Sequence, residues 1–231
     1  MNNVNQIFYK FLFMTIGLSL LILSPKIVYS QDVKIQKQLL EFSQSSLAEY
    51  IKNVITEKNF ANYGFKSLKE TEVARPGDPY PVMVIGLKAL KAYKSGTGAK
   101  PLLMDAKTFW FPVTVEGITR TKIEIIEKDG KWIAGEFGGV RTVKEIEIVK
   151  KQLPELLESK DIEAPYKIML VKIPALYAEF LYIESSQGEF LISVMVQPER
   201  YKLVNGQMYT ADEVLSKLRE FAKEIDEKKV M

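Results

Sequence analysis

The side chains available for chemistry are limited in this chain, because its 231 residues include no cysteine and no histidine. That absence excludes zinc sites built from Cys or His, the usual haem and iron–sulfur ligands, Ser-His-Asp triads and Cys-His nucleophiles. Chemistry is left to carboxylates, Ser-Lys pairs, tyrosines and metals held by oxygen. We predict no cofactor and no metal site.

Asp78 and Asp105 are the candidates for carboxylate-dependent hydrolysis. Each is flanked by apolar or proline residues, whereas most other acids lie in segments rich in lysine and glutamate. A glycosidase-like mechanism needs two carboxyl groups about 5 to 10 Å apart, one of them with a raised pKa. The spacing in the sequence does not show whether these two acids converge.

The segment Ser95–Lys100 (SGTGAK) has the glycines and the lysine of a phosphate-binding loop. A Walker A loop, however, requires Gly-Lys-Ser/Thr, whereas here Ala99 separates Gly98 from Lys100. We therefore interpret the segment as a flexible loop.

Aromatic residues form the best candidate for partner binding: Tyr80, Trp110 and Phe111. Successive strand residues point to opposite faces of a sheet, so Trp110 and Phe111 lie on different faces. One aromatic face belongs to the core. The other is either covered by the N-terminal helix or exposed to a partner, and an exposed aromatic patch is typical of a recognition surface.

These residues lie in the stretch 108–137, which predicts three consecutive antiparallel strands. Glu116-Gly117 and Asp129-Gly130 are typical two-residue hairpin loops, because glycine accepts the positive φ that such turns require. Pro112 lacks a backbone N–H and is expected at a sheet edge or a bulge.

Apolar periodicity predicts helices over about 36–59 and 141–158, the second kinked or ended at Pro154. A third helix begins at Thr210, with Glu213 completing a capping box. The residues 68–73 are interpreted as a short strand or extended segment, and 75–81 as a loop. Further strands are expected at 82–85, 166–173, 175–184 and 189–197.

This order indicates an α+β fold with a mainly antiparallel sheet, built of meanders and packed against a few amphipathic helices. Two related helix-plus-meander halves are an open alternative. The predicted divisions are 1–30, 31–140 and 141–231, although 31–231 could form one compact domain.

Residues 1–30 have the order of a secretory signal peptide. A polar start is followed by the uncharged apolar run 11–23, and Val28 and Ser30 suit cleavage before Gln31. An uncleaved anchor is the alternative, and it would provide the only membrane contact. Removing 1–30 takes two lysines and no acid from 32 basic and 29 acidic residues, leaving a net charge of +1. That charge does not indicate nucleic-acid binding.

The sequence therefore predicts an exported, non-catalytic protein, periplasmic or secreted. Its expected role is to bind an envelope protein, a peptide or a polymer through a sheet face or edge. Two alternatives remain open: a carboxylate-dependent hydrolase, and a protein resembling a protease inhibitor or prodomain.

Overall fold

A computed structural model describes residues 33–225 of the chain. The predicted signal peptide and its cleavage site lie outside these residues. The helices are α1 (Val33–Val54), α2 (Glu70–Val73), α3 (Leu87–Lys91), α4 (Val140–Glu158), α5 (Pro198–Tyr201) and α6 (Ala211–Lys223). The strands are β1 (Arg75–Pro76), β2 (Tyr80–Val84), β3 (Met104–Val115), β4 (Ile118–Lys128), β5 (Lys131–Gly138), β6 (Lys167–Ile173), β7 (Ala178–Ser185), β8 (Gly188–Met195) and β9 (Met208–Thr210).

The three-stranded meander is confirmed. Strands β3, β4 and β5 pair antiparallel in succession. Both connecting turns have positive φ at their two central residues: 51° and 77° at Glu116-Gly117, and 52° and 71° at Asp129-Gly130. Positive φ at both central residues is typical of a type I′ turn, which matches the twist of the flanking strands.

All nine strands of residues 33–225 belong to one sheet, in the order β5-β4-β3-β2-β6-β7-β8-β9, with β1 paired to β3. Only β2 and β6 are parallel among the described strands; the other pairs are antiparallel. The predicted α+β class with a mainly antiparallel sheet is confirmed. Each half of the chain contributes a long helix followed by strands that pair in sequence, and β2 and β6 join the halves into one sheet.

The helices cover both faces of this sheet. Helix α4 packs on the face that carries Trp110 and Leu170, where one hydrophobic cluster lies. On the opposite face, α1 covers the cluster around Phe111, while α3 and α6 cover the cluster around Phe180. Alternation along the strands explains this division, because neighbouring residues face opposite helices.

Four local predictions are corrected, the last two in part. Residues 68–73 contain the short helix α2 rather than a strand, and the proline-rich segment begins with β1. Helix α4 continues through Pro154 to Glu158, so the alternative in which the helix ends at Pro154 is wrong. The expected edge position of Pro112 is wrong, because β3 pairs on both sides, whereas the alternative of a bulge fits the register irregularity between Val113 and Thr114. The carbonyl of Pro112 accepts a hydrogen bond from Gly77 N–H (2.7 Å), so its missing N–H faces the link between β1 and β2.

The predicted C-terminal helix cap is confirmed. The hydroxyl of Thr210 accepts a hydrogen bond from the backbone N–H of Glu213 at 3.3 Å. Such a bond satisfies one of the backbone donors left free at a helix start. The helix then buries an apolar stripe against the sheet, with Val214, Leu215, Leu218 and Ala222 fully covered.

Candidate functional site

The three candidate partner-binding residues are all buried. Tyr80 is 5% exposed, Trp110 3% and Phe111 0%. Phe111 lies beneath α1, as expected for a core residue, and Trp110 points to the opposite face. The prediction that Trp110 lies beneath the N-terminal helix or on an exposed surface is wrong, because α4 covers it. These three side chains are therefore covered by α1 or α4 in this arrangement and do not form an exposed aromatic patch.

Trp110 is surrounded by charge on the α4 face. The ammonium groups of Lys122 and Lys172 lie 4.2 Å and 4.0 Å from the centroid of its ring. Cations at this distance are attracted by the negative face of an indole ring. Together with Glu124 and Glu179, these residues form what we name the Trp110 cluster.

Lys122 is the most deeply buried charge in the cluster, with its side chain 3% exposed. Its ammonium group donates to Glu124 at 2.9 Å and to Glu136 at 2.8 Å. Lys172 lies 3.7 Å from the same Oε1 of Glu124. A buried cation needs such partners, because its desolvation costs several kcal/mol.

The two carboxyl groups of the cluster have pKa values shifted in opposite directions. Burial raises the pKa of Glu179, and Lys172 and Lys122 offset the effect only in part. Burial also acts on Glu124, but the charges of Lys122 and Lys172 outweigh it and hold the pKa of Glu124 below its usual range. Carboxyl groups with opposed shifts are typical of acid–base pairs, although structural ion networks produce them too.

The space beside the cluster is small. A cavity of about 10 Å³ lies between Trp110, Lys122 and the first turns of α4. Such a volume holds about one water molecule. The geometry therefore favours a structural role for these charges in the arrangement seen here.

The acids selected from the sequence are not brought together. The sheet register places Asp105 opposite Met83, five residues along the chain from Asp78. At about 3.3 Å per residue this is a separation of roughly 16 Å, too large for a hydrolytic pair. Asp105 is instead paired with Lys107 at 3.0 Å. The prediction of a hydrolytic site at Asp78 and Asp105 finds no support in this geometry.

The glycine loop 95–100 binds anions, but they are carboxylates of the same chain. Asp212, in the first turn of α6, accepts from Gly96 N–H at 2.6 Å and from the Ser95 hydroxyl at 2.9 Å. Glu189 accepts from the backbone N–H groups of Ala99 and Lys100. The donors that a phosphate would need are therefore occupied by these carboxylates. The interpretation of the segment as a flexible loop is corrected, because these hydrogen bonds hold it in place.

These hydrogen bonds fix the loop against two distant elements. The hydroxyl of Tyr93 and the groups of the loop lower the pKa of Asp212. The contact was not predicted, because Asp212 is 116 residues from Gly96 and its carboxylate is only one of many along the chain. The sequence signal that was available is the pair of glycines, which permit positive φ (84° at Gly96 and 75° at Gly98).

The sheet has one long free edge. Strand β5 pairs with β4 only, and no other strand of the described residues lies beyond it. The opposite edge, β9, has only three residues. Beside β5 a groove of about 280 Å³ runs along α1, lined by Ser46, Glu49, Tyr50, Asn53, Val54 and Ala134. An unpaired edge with an adjacent groove is the arrangement used for adding a peptide strand.

Residues 33–225 contain neither a cluster of metal-ligating side chains nor a membrane-spanning helix. No group of acids in that range is arranged to hold a metal ion. None of the helices in the same range is long and apolar enough to cross a membrane. Comparison with known proteins gives no match, either to a family model, to a curated protein or to a solved structure.

Proposed function

We propose that this protein is an extracytoplasmic binding module that pairs an extended segment of a partner with the free edge of β5. The single observation that carries the proposal is that β5 is the only long unpaired edge among the described strands. Backbone N–H and C=O groups along such an edge bind another strand without a specific sequence. The partner is accordingly an exposed strand or an unfolded peptide segment of an envelope protein.

The surroundings of β5 supply side-chain contacts for such a segment. Ile133 is 41% exposed on the α4 face, and Ala134 borders the groove beside α1. Tyr50 of α1 donates from its hydroxyl to the carbonyl of Gly135, where the pairing with β4 is irregular. The irregularity separates Lys131–Ala134 from the paired residues Phe137 and Gly138, so the module is expected to add a short strand along the first of these parts.

Partner contact at this edge can be tested by site-specific photocrosslinking in intact cells. A photoreactive amino acid replaces Ala134, and the matched control carries it at Val204, which is 57% exposed and lies outside the edge. We expect a defined adduct from position 134 and none from position 204. Ile133→Lys, introduced with the crosslinker, should reduce the adduct. Equal labelling from both positions, or none from 134, would refute edge pairing.

Export is part of the proposal and is tested separately. The apolar run 11–23 and the small residues before Gln31 support it. Intact-mass measurement of the extracytoplasmic fraction should find a chain that begins near Gln31. Recovery only of the full-length chain from the cytoplasm would overturn export, whereas a full-length chain in the membrane fraction would identify the uncleaved anchor.

A carboxylate-dependent hydrolase is the alternative, and its candidate acids are Glu124 and Glu179, which both lie next to Lys172 in the Trp110 cluster. Turnover of polysaccharide or peptide substrates that is lost in both Glu124→Gln and Glu179→Gln would support it. A role like that of a protease inhibitor or prodomain would instead give inhibition of a protease through the β5 edge. Ile133→Lys would then relieve the inhibition.

A further inference from the structure

Lys172 and Glu179 face each other across two antiparallel strands but do not form the ion pair that this position allows. They are directly paired in the register of β6 and β7. Opposite charges so placed usually attract, because their Cβ atoms are only about 4.5–5.5 Å apart. Lys172 instead directs its ammonium group at the ring of Trp110 (4.0 Å) and at Glu124 (3.7 Å).

One of the two oxygen atoms of the Glu179 carboxyl group has no hydrogen-bond donor among the described residues. Its Oε2 atom is buried and accepts no hydrogen bond from any described residue. An ionised oxygen in that position would lack solvation, whereas a protonated carboxyl group avoids most of this penalty. The raised pKa of Glu179, caused chiefly by burial, agrees with a carboxyl group that retains its proton.

Few charged or polar side chains act on the carboxyl group of Glu179. The charged ones are Lys172 on β6 and Lys122 and Glu124 on β4. Helix α4 contributes the hydroxyl of Thr142, which also contacts the sulfur of Met195 at 3.9 Å. Lys122 is already bonded to two other carboxylates, so Lys172 is the cation that is able to change partners.

We propose that Lys172 is a two-position switch controlled by the proton on Glu179. With Glu179 protonated, Lys172 lies over Trp110 and beside Glu124, as observed. When Glu179 releases its proton to solvent, Lys172 turns to the new carboxylate and leaves the face of Trp110. The movement requires only a change of side-chain rotamer, because the two residues are already opposite each other.

The switch lies where α4 meets the sheet, so it connects external pH with the packing of that helix. Thr142 belongs to the first turn of α4 and contacts both Glu179 and Met195. Rearrangement of Glu179 and Lys172 therefore alters a contact of that turn. This inference is independent of the β5 edge.

Trp110 provides the readout, since the chain has only two tryptophans. In a Trp132→Phe chain, the emission of Trp110 should change sigmoidally with pH. The midpoint should lie above 4.5, the ordinary pKa of a glutamate. Glu179→Gln and Lys172→Met should each abolish the change. The matched control Glu136→Gln should keep it, because that carboxyl group is 62% exposed and bonds to Lys122.

Two results would overturn the proposal: a flat titration in the Trp132→Phe chain, or an unchanged titration in Glu179→Gln. Circular dichroism at each pH shows whether the chain remains folded. If a variant does not fold, carbon-13 NMR of the glutamate carboxyl groups in the unmodified chain replaces it. Absence of a Glu179 titration above pH 4.5, the ordinary glutamate value, would then refute the proposal.

Discussion

The ammonium group of Lys122 lies 4.2 Å from the centroid of Trp110, in the interior of the protein and beneath the start of α4. Both side chains are almost fully covered, at 3% exposure of the Lys122 side chain and 3% of Trp110. An aromatic residue that the sequence offered as a candidate for partner binding thus belongs to a buried network of charges. Substitution of either residue should therefore weaken the fold itself.

Lys122→Met should destabilise the protein by about 3–5 kcal/mol, since it leaves Glu124 covered without its closest cation. Adding Glu124→Gln to Lys122→Met should recover a large part of the lost stability, because the buried carboxylate that lacked a cation is then replaced by a neutral amide. The measurement is the free energy of urea unfolding. Lys131→Met on the exposed start of β5 is the control and should change it by less than about 0.5 kcal/mol. Equal losses in the single and the double variant would contradict the ion-pair explanation.

Trp110→Ala should cost about 3–5 kcal/mol, the range for truncating a buried tryptophan. This loss of stability has two sources: the apolar surface that Trp110 buries beneath α4, and its ring contacts with Lys122 and Lys172. Trp132→Ala is the comparison and should cost less, because Trp132 is only partly buried on the edge strand. A nearly neutral Trp110→Ala in urea unfolding would mean that α4 does not cover this residue in solution.

Acid should weaken the attachment of the glycine loop. The pKa of Asp212 is lowered by hydrogen bonds from Tyr93, Gly96 and Ser95. The folded pKa therefore lies below the unfolded value, so its contribution to stability is present above the unfolded pKa and is lost as pH falls through the folded pKa. Asp212→Asn should lower the urea midpoint at neutral pH and flatten its decline in acid. Glu57→Gln, in an exposed loop, should retain the decline of the unmodified chain.

Two glycines with positive φ should differ in their tolerance of alanine. At Gly130 (φ +71°) the position that a Cβ would take is surrounded by open space. Gly130→Ala should therefore cost only the left-handed strain of about 1–2 kcal/mol. At Gly64 (φ +81°) a Cβ would collide with the backbone carbonyl oxygen of Arg120. Gly64→Ala should cost at least about 1 kcal/mol more, within the usual range of backbone strain effects. Similar thermal midpoints for the two variants would contradict the close approach at Gly64.

The sequence by itself determined the local parts of the fold. The hairpin turns at Glu116-Gly117 and Asp129-Gly130 are fixed by the φ angles that glycine permits, and the start of α6 by the side chain of Thr210. Alternation along β3 also determined that Trp110 and Phe111 lie on opposite faces. These features depend on neighbouring residues, so they can be inferred before any long-range contact is known.

The tertiary structure alone decided which helix covers each face and which charges meet. Nothing near Trp110 in the sequence indicates that α4, rather than α1, lies over it, because either amphipathic helix could bury an apolar face. The Trp110 cluster joins Lys122 to Lys172, and the glycine loop joins Gly96 to Asp212, through strand order and helix placement. Long-range contacts of this kind depend on the packing of the whole sheet, and short-range patterns carry no information about it.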